Sequence, residues 1–319
     1  MSSKIDNGGD TMSVGLLSEC DHALRNNGLI VSPRQPYPFP RIRKVCGGRV
    51  PMTMAAGFKY ADGIMFCADS QITHGETLKT AGAKIAFNSK ASDYSLVTTG
   101  AGHMGFLEWF FERIDASLAA SDKSVTKAKQ IIERALDELY KNHVSPYAKR
   151  HGTPDGEISM LIGFVGVEEG VSFWRTDSTA LIEGTEVECV GSGSLAGMFF
   201  ASKTYRDGVV YREALTIAAN LLRQVKRFDP YVGGETSVMV LQNDGKVRRE
   251  GANKIATLEA FLDECEYSAW DAILKCSNPS LLGEGADRTL EELCAKVRVS
   301  RKQLKPAPLP GSSGNIVRY

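Results

Sequence analysis

The chain carries no excess of charge of either sign: Lys plus Arg and Asp plus Glu both number 38 in 319 residues. No overall field therefore recruits nucleic acid or an anionic membrane, and any such partner would need a local patch. The seven cysteines (20, 46, 67, 189, 265, 276 and 294) are odd in number and nowhere spaced as CxxC, which disfavours a disulfide framework and a zinc site. They read as reduced, mostly buried thiols. No apolar run reaches the 18 or so residues that a membrane span needs, and residues 1–20 are polar, unlike a signal peptide. The expected location is the cytoplasm. The five histidines lack metal-type spacing such as HExxH. With 43% hydrophobic and 24% charged residues, disordered, collagen-like and coiled-coil chains are set aside.

Residues 1–52 show no sustained period and hold Asn7-Gly8-Gly9 and Pro33, Pro36, Pro38 and Pro40. They read as an irregular extension with a short helix around Leu16–Leu24. The pattern then changes. Two runs of small and strand-forming residues, Thr53–Lys59 and Gly63–Ser70, flank Ala61-Asp62-Gly63, and Asp-Gly is a strong hairpin signal. Shorter strands are expected at Lys84–Phe87 and Ser95–Thr99, followed by a bend at Gly100-Ala101-Gly102.

Apolar residues at helical spacing, Phe106, Phe110, Ile114 and Leu118, predict one helix; Ile131, Ala135, Leu136 and Leu139 predict a second, with Ser124 as its N-cap. The charged stretch Lys123–Lys129 reads as a solvated face. Strands follow at Ile158–Val165, Val171–Arg175 and Glu186–Val190, helices at Leu195–Tyr205 and Ala214–Phe228, and strands at Thr236–Leu241 and Val247–Arg249. Helices that arrive in pairs between antiparallel hairpins do not suit an alternating βαβ sheet. They suit a four-layer αββα sandwich, two stacked antiparallel sheets flanked by helices. Beyond residue 251, Ile255–Leu274 and Leu290–Val297 read as helical and Lys305–Tyr319 as a mobile tail. The expected organisation is thus an extension (1–52), a core domain (53–251) and a C-terminal helical extension (252–319).

Three residues of the opening strands fit one chemistry. A threonine hydroxyl is a weak nucleophile until a base takes its proton, and the α-amine of a chain-heading threonine is such a base. Lys84 would lower the pKa of that amine at Thr53, and Asp69 could hold the lysine in place. On pattern alone, a strand-end turn and a solvated lysine account for the same residues more readily. Gly191-Ser192-Gly193-Ser194-Leu195-Ala196-Gly197 lies between a strand and a helix and comes near a dinucleotide fingerprint. A second helix intervenes where a Rossmann unit needs a strand, which favours a tight turn with Ser192 or Ser194 capping the helix. Asp229-Pro230-Tyr231-Val232-Gly233-Gly234 reads as a helix stop with a sharp re-entry into the sheet, from which Asp229 could face a site.

In order, Thr53-Met-Ala-Ala-Gly-Phe-Lys-Tyr-Ala-Asp-Gly-Ile-Met-Phe-Cys-Ala-Asp69-Ser-Gln-Ile-Thr-His-Gly75, Lys84-Ile85, Ala101-Gly102, Gly191–Ser194 and Asp229…Gly233-Gly234 resemble the proteasome α/β subunit family of N-terminal-nucleophile hydrolases. The resemblance spans about Thr53 to Gly251 and is β-like. It implies the αββα fold and a threonine-type peptidase in which Thr53, freed by removal of residues 1–52, is the nucleophile. By the same resemblance Asp69 and Lys84 tune its amine, Ser192 and Asp229 complete the hydrogen-bond network, and the backbone N–H at Thr98 serves the oxyanion. It further implies no cofactor or metal, a peptide or unfolded-protein substrate, and a homo-oligomeric or mixed ring. Met52 stands where active members have glycine, and Val232 replaces a serine. A non-catalytic assembly subunit is therefore the second reading, and a dinucleotide-binding enzyme the third.

Overall fold

A computed structural model describes residues 53–74, 78–90, 93–151, 158–167, 170–277 and 284–303. The expectations for the extension before Thr53 and for the tail from 305 onward lie outside the described residues.

The first hairpin joins β1 (Met54–Tyr60) to β2 (Gly63–Asp69), with Tyr60 opposite Gly63. Gly63 has φ +151°, and a Cβ there would stand 2.1 Å from the Leu241 carbonyl oxygen, so the turn needs glycine. A five-stranded antiparallel sheet forms in the order β10 (Val187–Gly191), β1, β2, β11 (Thr236–Gln242), β12 (Val247–Arg249). The second has the order β5 (Ile85–Lys90), β6 (Tyr94–Ala101), β7 (Ser159–Val165), β8 (Ser172–Asp177), β9 (Ala180–Glu183).

Side-chain alternation sorts the residues of each strand between two cores. Ala55, Ile64, Phe66 and Ala68 meet Val97, Leu161 and Phe173 between the sheets. On the outer face of the first sheet, Met54, Phe58, Met65 and Cys67 pack beneath α4 (Ser194–Thr204), α5 (Tyr211–Phe228) and the start of α6 (Ala252–Cys276). On the outer face of the second, Leu96, Ile162, Phe164 and Trp174 pack beneath α1 (Met104–Ala119) and α2 (Val125–Leu139). This is the four-layer αββα sandwich. Both faces of the inner strands are covered, which is why β1 and β2 read as nearly unbroken apolar runs.

Several local expectations change. The hairpin β3 (Gln71–His74) and β4 (Leu78–Ala81) is too short and polar to show a strand period, as is β9. The second helix continues through a π-helical turn, Tyr140–Val144, into α3 (Ser145–His151), and the wider turn precedes Pro146, which has no N–H to donate to it. Ser124 caps α2 as expected, accepting from Lys127 N at 3.3 Å. Lys123 is no solvated residue: it is buried, and its Nζ donates to the Leu118 carbonyl at 2.6 Å and to Ala119 at 3.2 Å, satisfying the end of α1. Neither Ser192 nor Ser194 caps α4, whose N-cap is Gly193. A final helix, α7 (Glu284–Gln303), packs on α6. No helix among the described residues is long and apolar enough to cross a membrane.

Candidate active site

Strand register decides where the site forms. Thr53 immediately precedes β1 and Asp69 ends β2, and the hairpin register sets Met54 across from Asp69. Lys84 immediately precedes β5 in the other sheet. Residues 16 and 31 positions away from Thr53 thus converge on its hydroxyl where the ends of the two sheets meet.

The convergence is tight. Thr53 Oγ1 donates to Asp69 Oδ1 at 2.7 Å, Lys84 Nζ donates to the same Oδ1 at 2.7 Å, and Lys84 Nζ also contacts Thr53 Oγ1. Met54 N adds a third donor to Oδ1 at 2.9 Å, while Oδ2 accepts from Gln71 N at 3.2 Å and Gly233 N at 3.1 Å. A carboxylate whose side chain is 0% exposed is stable only when paired and hydrogen-bonded, and Asp69 is both. The Lys84 side chain is 3% exposed. Burial pushes its ammonium below the usual lysine pKa, and the charge and hydrogen bond of Asp69 act against that fall. Thr99 Oγ1 donates to the Lys84 carbonyl at 2.9 Å and so ties the backbone of the lysine to β6.

The turn after β10 closes over the Thr53 carbonyl oxygen, which accepts from Ser192 Oγ and Gly193 N, each at 3.3 Å. Gly191 has φ +95°, and a Cβ there would lie 2.2 Å from that oxygen and 3.1 Å from Ala101 Cβ. The glycine-rich run therefore serves close approach of two backbones. It opens α4 in an antiparallel setting, with α5 next along the chain and no parallel strand, so the dinucleotide reading has no structural counterpart.

Of the residues singled out from the sequence, the fold brings Thr53, Asp69, Lys84 and Ser192 together. Asp229 is placed otherwise. It ends α5, and its Oδ1 accepts from Tyr231 N at 2.9 Å. Among the described residues no hydrogen bond joins it to Thr53 or Ser192. Its loop reaches the site through Gly233 N instead. Thr98 is also placed otherwise: it sits in the middle of β6, opposite Ala86 of β5 and Ile162 of β7, so its N–H is held in the sheet ladder. The part of β6 that borders Thr53 is its end, at Ala101. The backbone donors Met54, Gln71, Gly193 and Gly233 escaped sequence reasoning because a main-chain N–H has no residue type. The only signal was the glycine content of two turns. Among the described residues no group of three or more His, Cys, Asp or Glu could hold a metal ion.

The chain is similar to three solved structures of one kind. Anbu (ancestral beta-subunit) from Yersinia bercovieri has TM-score 0.59 and 16% identity, covering 69% of this chain and 97% of that one. Anbu from Hyphomicrobium sp. strain MC1 has TM-score 0.56 and 16% identity, covering 69% and 97%. The Anbu complex from Pseudomonas aeruginosa, described as a helical assembly, has TM-score 0.58 and 15% identity, covering 69% and 96%. At such identity the likeness speaks for the fold alone. No curated protein matches the chain. The model of the family described as Proteasome subunit matches residues 53–241, more than half of the chain and the whole of the region in which Thr53, Asp69, Lys84 and Ser192 converge. On that match, and on the sandwich that it predicts, the chain belongs to the proteasome subunit family.

Proposed function

We propose that this chain is a threonine-type peptidase subunit in which Thr53, freed by removal of residues 1–52, attacks peptide bonds. One observation carries the reading: Thr53 Oγ1, Asp69 Oδ1 and Lys84 Nζ contact one another pairwise in a buried cluster. With residue 53 at the head of the chain, its α-amine takes the Oγ1 proton as Oγ1 bonds to the carbonyl carbon of the substrate. Collapse of the tetrahedral adduct breaks the C–N bond, and the proton passes to the departing amine. Water then hydrolyses the ester. Lys84 supplies positive charge beside Oγ1 and the amine, favouring the alkoxide and lowering the amine pKa; Asp69 holds Lys84 there. Ser192 positions the Thr53 carbonyl, and Asp229 acts on the site through its loop.

While Met52 is attached, the nitrogen of Thr53 is an amide and cannot serve as base. Activity therefore depends on scission of Met52–Thr53. The substrate class is a peptide or unfolded protein, in a cytoplasmic setting. A homo-oligomeric or mixed ring is part of the proposal, supported by the likeness to Anbu, one form of which is described as a helical assembly.

Mass analysis of purified protein, paired with hydrolysis of fluorogenic peptides, tests the reading. Wild type should begin at Thr53 and turn over substrate, and Thr53→Ala should lose both. A second reading, a non-catalytic assembly subunit, draws on Val232, which is buried in the apolar core and has no hydroxyl to offer the site. Wild-type chains that keep residue 52 and hydrolyse nothing would establish that subunit in place of the peptidase.

A further inference from the structure

The loop of residues 229–235 reaches Asp69 by its backbone, so whatever holds the loop also holds the carboxylate. Gly233 N donates to Asp69 Oδ2 at 3.1 Å, the Gly233 carbonyl accepts from Gln71 N at 3.0 Å, and Glu235 N donates to Ser70 Oγ at 2.8 Å. The loop leaves α5 within one turn of Lys226 and enters β11 at Thr236, which the strand register sets across from Asp69 itself. Its two ends meet on one side chain of another helix. Glu259 Oε1 accepts from Thr236 Oγ1 at 2.6 Å and from Lys226 Nζ at 3.1 Å, and Lys226 Nζ also donates to Thr236 Oγ1 at 2.7 Å. Thr236 is buried, and the side chains of Lys226 and Glu259 are 17% and 19% exposed, so water competes little for these contacts.

A threonine, a lysine and a carboxylate thus meet here as they do at residue 53, but Thr236 lies inside the chain, where its nitrogen is an amide and cannot act as base. The cluster can position and cannot attack. Glu259 belongs to the part of α6 that packs on the sandwich through Ile255 and Leu258, beyond residue 241, where the family match ends. Past Leu262, α6 and α7 form a C-terminal hairpin. We infer that Glu259 is a positioning residue for the Thr53 site. It draws the end of α5 and the start of β11 together, which holds Gly233 N on Asp69 and, through Asp69, holds Lys84 on the Thr53 hydroxyl. For its effect on catalysis the inference rests on the peptidase reading. Without the Glu259 carboxylate, Lys226 and Thr236 lose their shared acceptor and the loop between them is free to shift. A misplacement of about 1 Å at the reacting groups can cost roughly a hundredfold in rate, so a residue that touches no reacting atom can still set that rate.

The test compares variants of the full chain. Glu259→Gln keeps the shape of the side chain and removes its charge. Its kcat on fluorogenic peptides should fall by about tenfold or more with KM unchanged, because Asp69 and Lys84 act on bond making. Deuterium exchange in peptides covering residues 229–236 should quicken by about tenfold or more as the loop is released. Thr236→Val, which leaves the Lys226–Glu259 pair in place, should move both readouts in the same direction, and it decides the matter if the glutamine variant does not fold. Glu266→Gln is the control. It breaks ion pairs between the same two helices, with Arg223 at 2.7 Å and Arg227 at 3.0 Å, and should leave kcat and loop exchange as in wild type. Equal losses in Glu259→Gln and Glu266→Gln would reduce Glu259 to a fastener of helices and overturn the inference, as would a rise in KM with kcat unchanged. Should the wild-type chain hydrolyse nothing, the peptidase reading falls by itself and loop exchange alone decides: faster exchange in Glu259→Gln than in Glu266→Gln upholds the positioning role, and equal exchange overturns it.

Discussion

The Thr53 site and the C-terminal hairpin each hold ion pairing, yet burial makes them different objects. At the site the charges of Lys84 and Asp69 sit in side chains 3% and 0% exposed, with both oxygens of Asp69 taken by donors. On the hairpin the Arg288–Glu292 pair is 83% and 63% exposed and 3.5 Å apart. A buried charge that loses its partner is left in low dielectric, whereas an exposed one is taken up by water. Disturbance should therefore be costly at the site and almost free on the hairpin.

The sharpest break in that contrast is Lys84→Met. It strands the Asp69 carboxylate and should cost about 3–5 kcal/mol in a urea titration, with peptide hydrolysis lost as well. A compensating Asp69→Leu should not recover that stability, because the N–H groups of Met54 and Gly233 would then lose their acceptor. Recovery in the double variant would mean that the pair is no more than a replaceable patch of polarity. Next in size is Gly191→Ala, which forces a side chain into φ +95° and against the Thr53 carbonyl oxygen. About 1–3 kcal/mol should be lost, together with activity, since the displaced atom belongs to Thr53, the nucleophile of the proposed reaction. Unchanged turnover in a correctly folded variant would show that the Thr53 backbone has room to spare.

Smaller still is a pH effect. The ammonium of Lys84 has a pKa below the ordinary 10.5, so the folded chain releases that proton before the unfolded chain does. Between those two pKa values the unfolded state binds more protons, and this group adds stability as pH rises toward 10.5. Tyr60, pushed up to about 12 chiefly by burial, works the other way above pH 10, but it is common to wild type and Lys84→Met. The difference between their denaturation midpoints should therefore widen with alkaline pH, and a constant gap would contradict the burial of the lysine. The smallest effect belongs to Arg288→Ala, expected to shift stability by no more than about 0.5 kcal/mol in 0.15 M salt. A larger loss would remove the contrast between the two regions.

Much of the architecture was legible because it rests on period. The apolar runs of β1 and β2, the stripe Phe110, Ile114 and Leu118, and the Asp62-Gly63 turn each carry a local signal, and together they imply two sheets between helical layers. The short polar strands β3 and β9 were not legible, since a run of four residues hardly shows a period. Lys123 was misleading for a related reason: its charge suggested solvent, whereas its ammonium caps the carbonyls that end α1. At the site, Thr53, Asp69 and Lys84 could be named from residue type and spacing. Asp229 and Thr98 could not be placed in that way, because whether a group faces Thr53 depends on the hydrogen bonds that its neighbours have already taken.

By itself, then, the sequence determined the layers, the family and the residue types at positions 53, 69 and 84, all of which follow from local pattern and chemical type. Tertiary structure alone decided that Lys84 crosses from one sheet to touch Thr53, that backbone N–H groups from three separate segments hold Asp69, and that Leu290 and Val297 of α7 stay outside. These outcomes turn on strand register and on which surfaces remain uncovered once the sheets have packed. Register and packing are set by contacts between residues far apart in the chain, and no window of local sequence contains them.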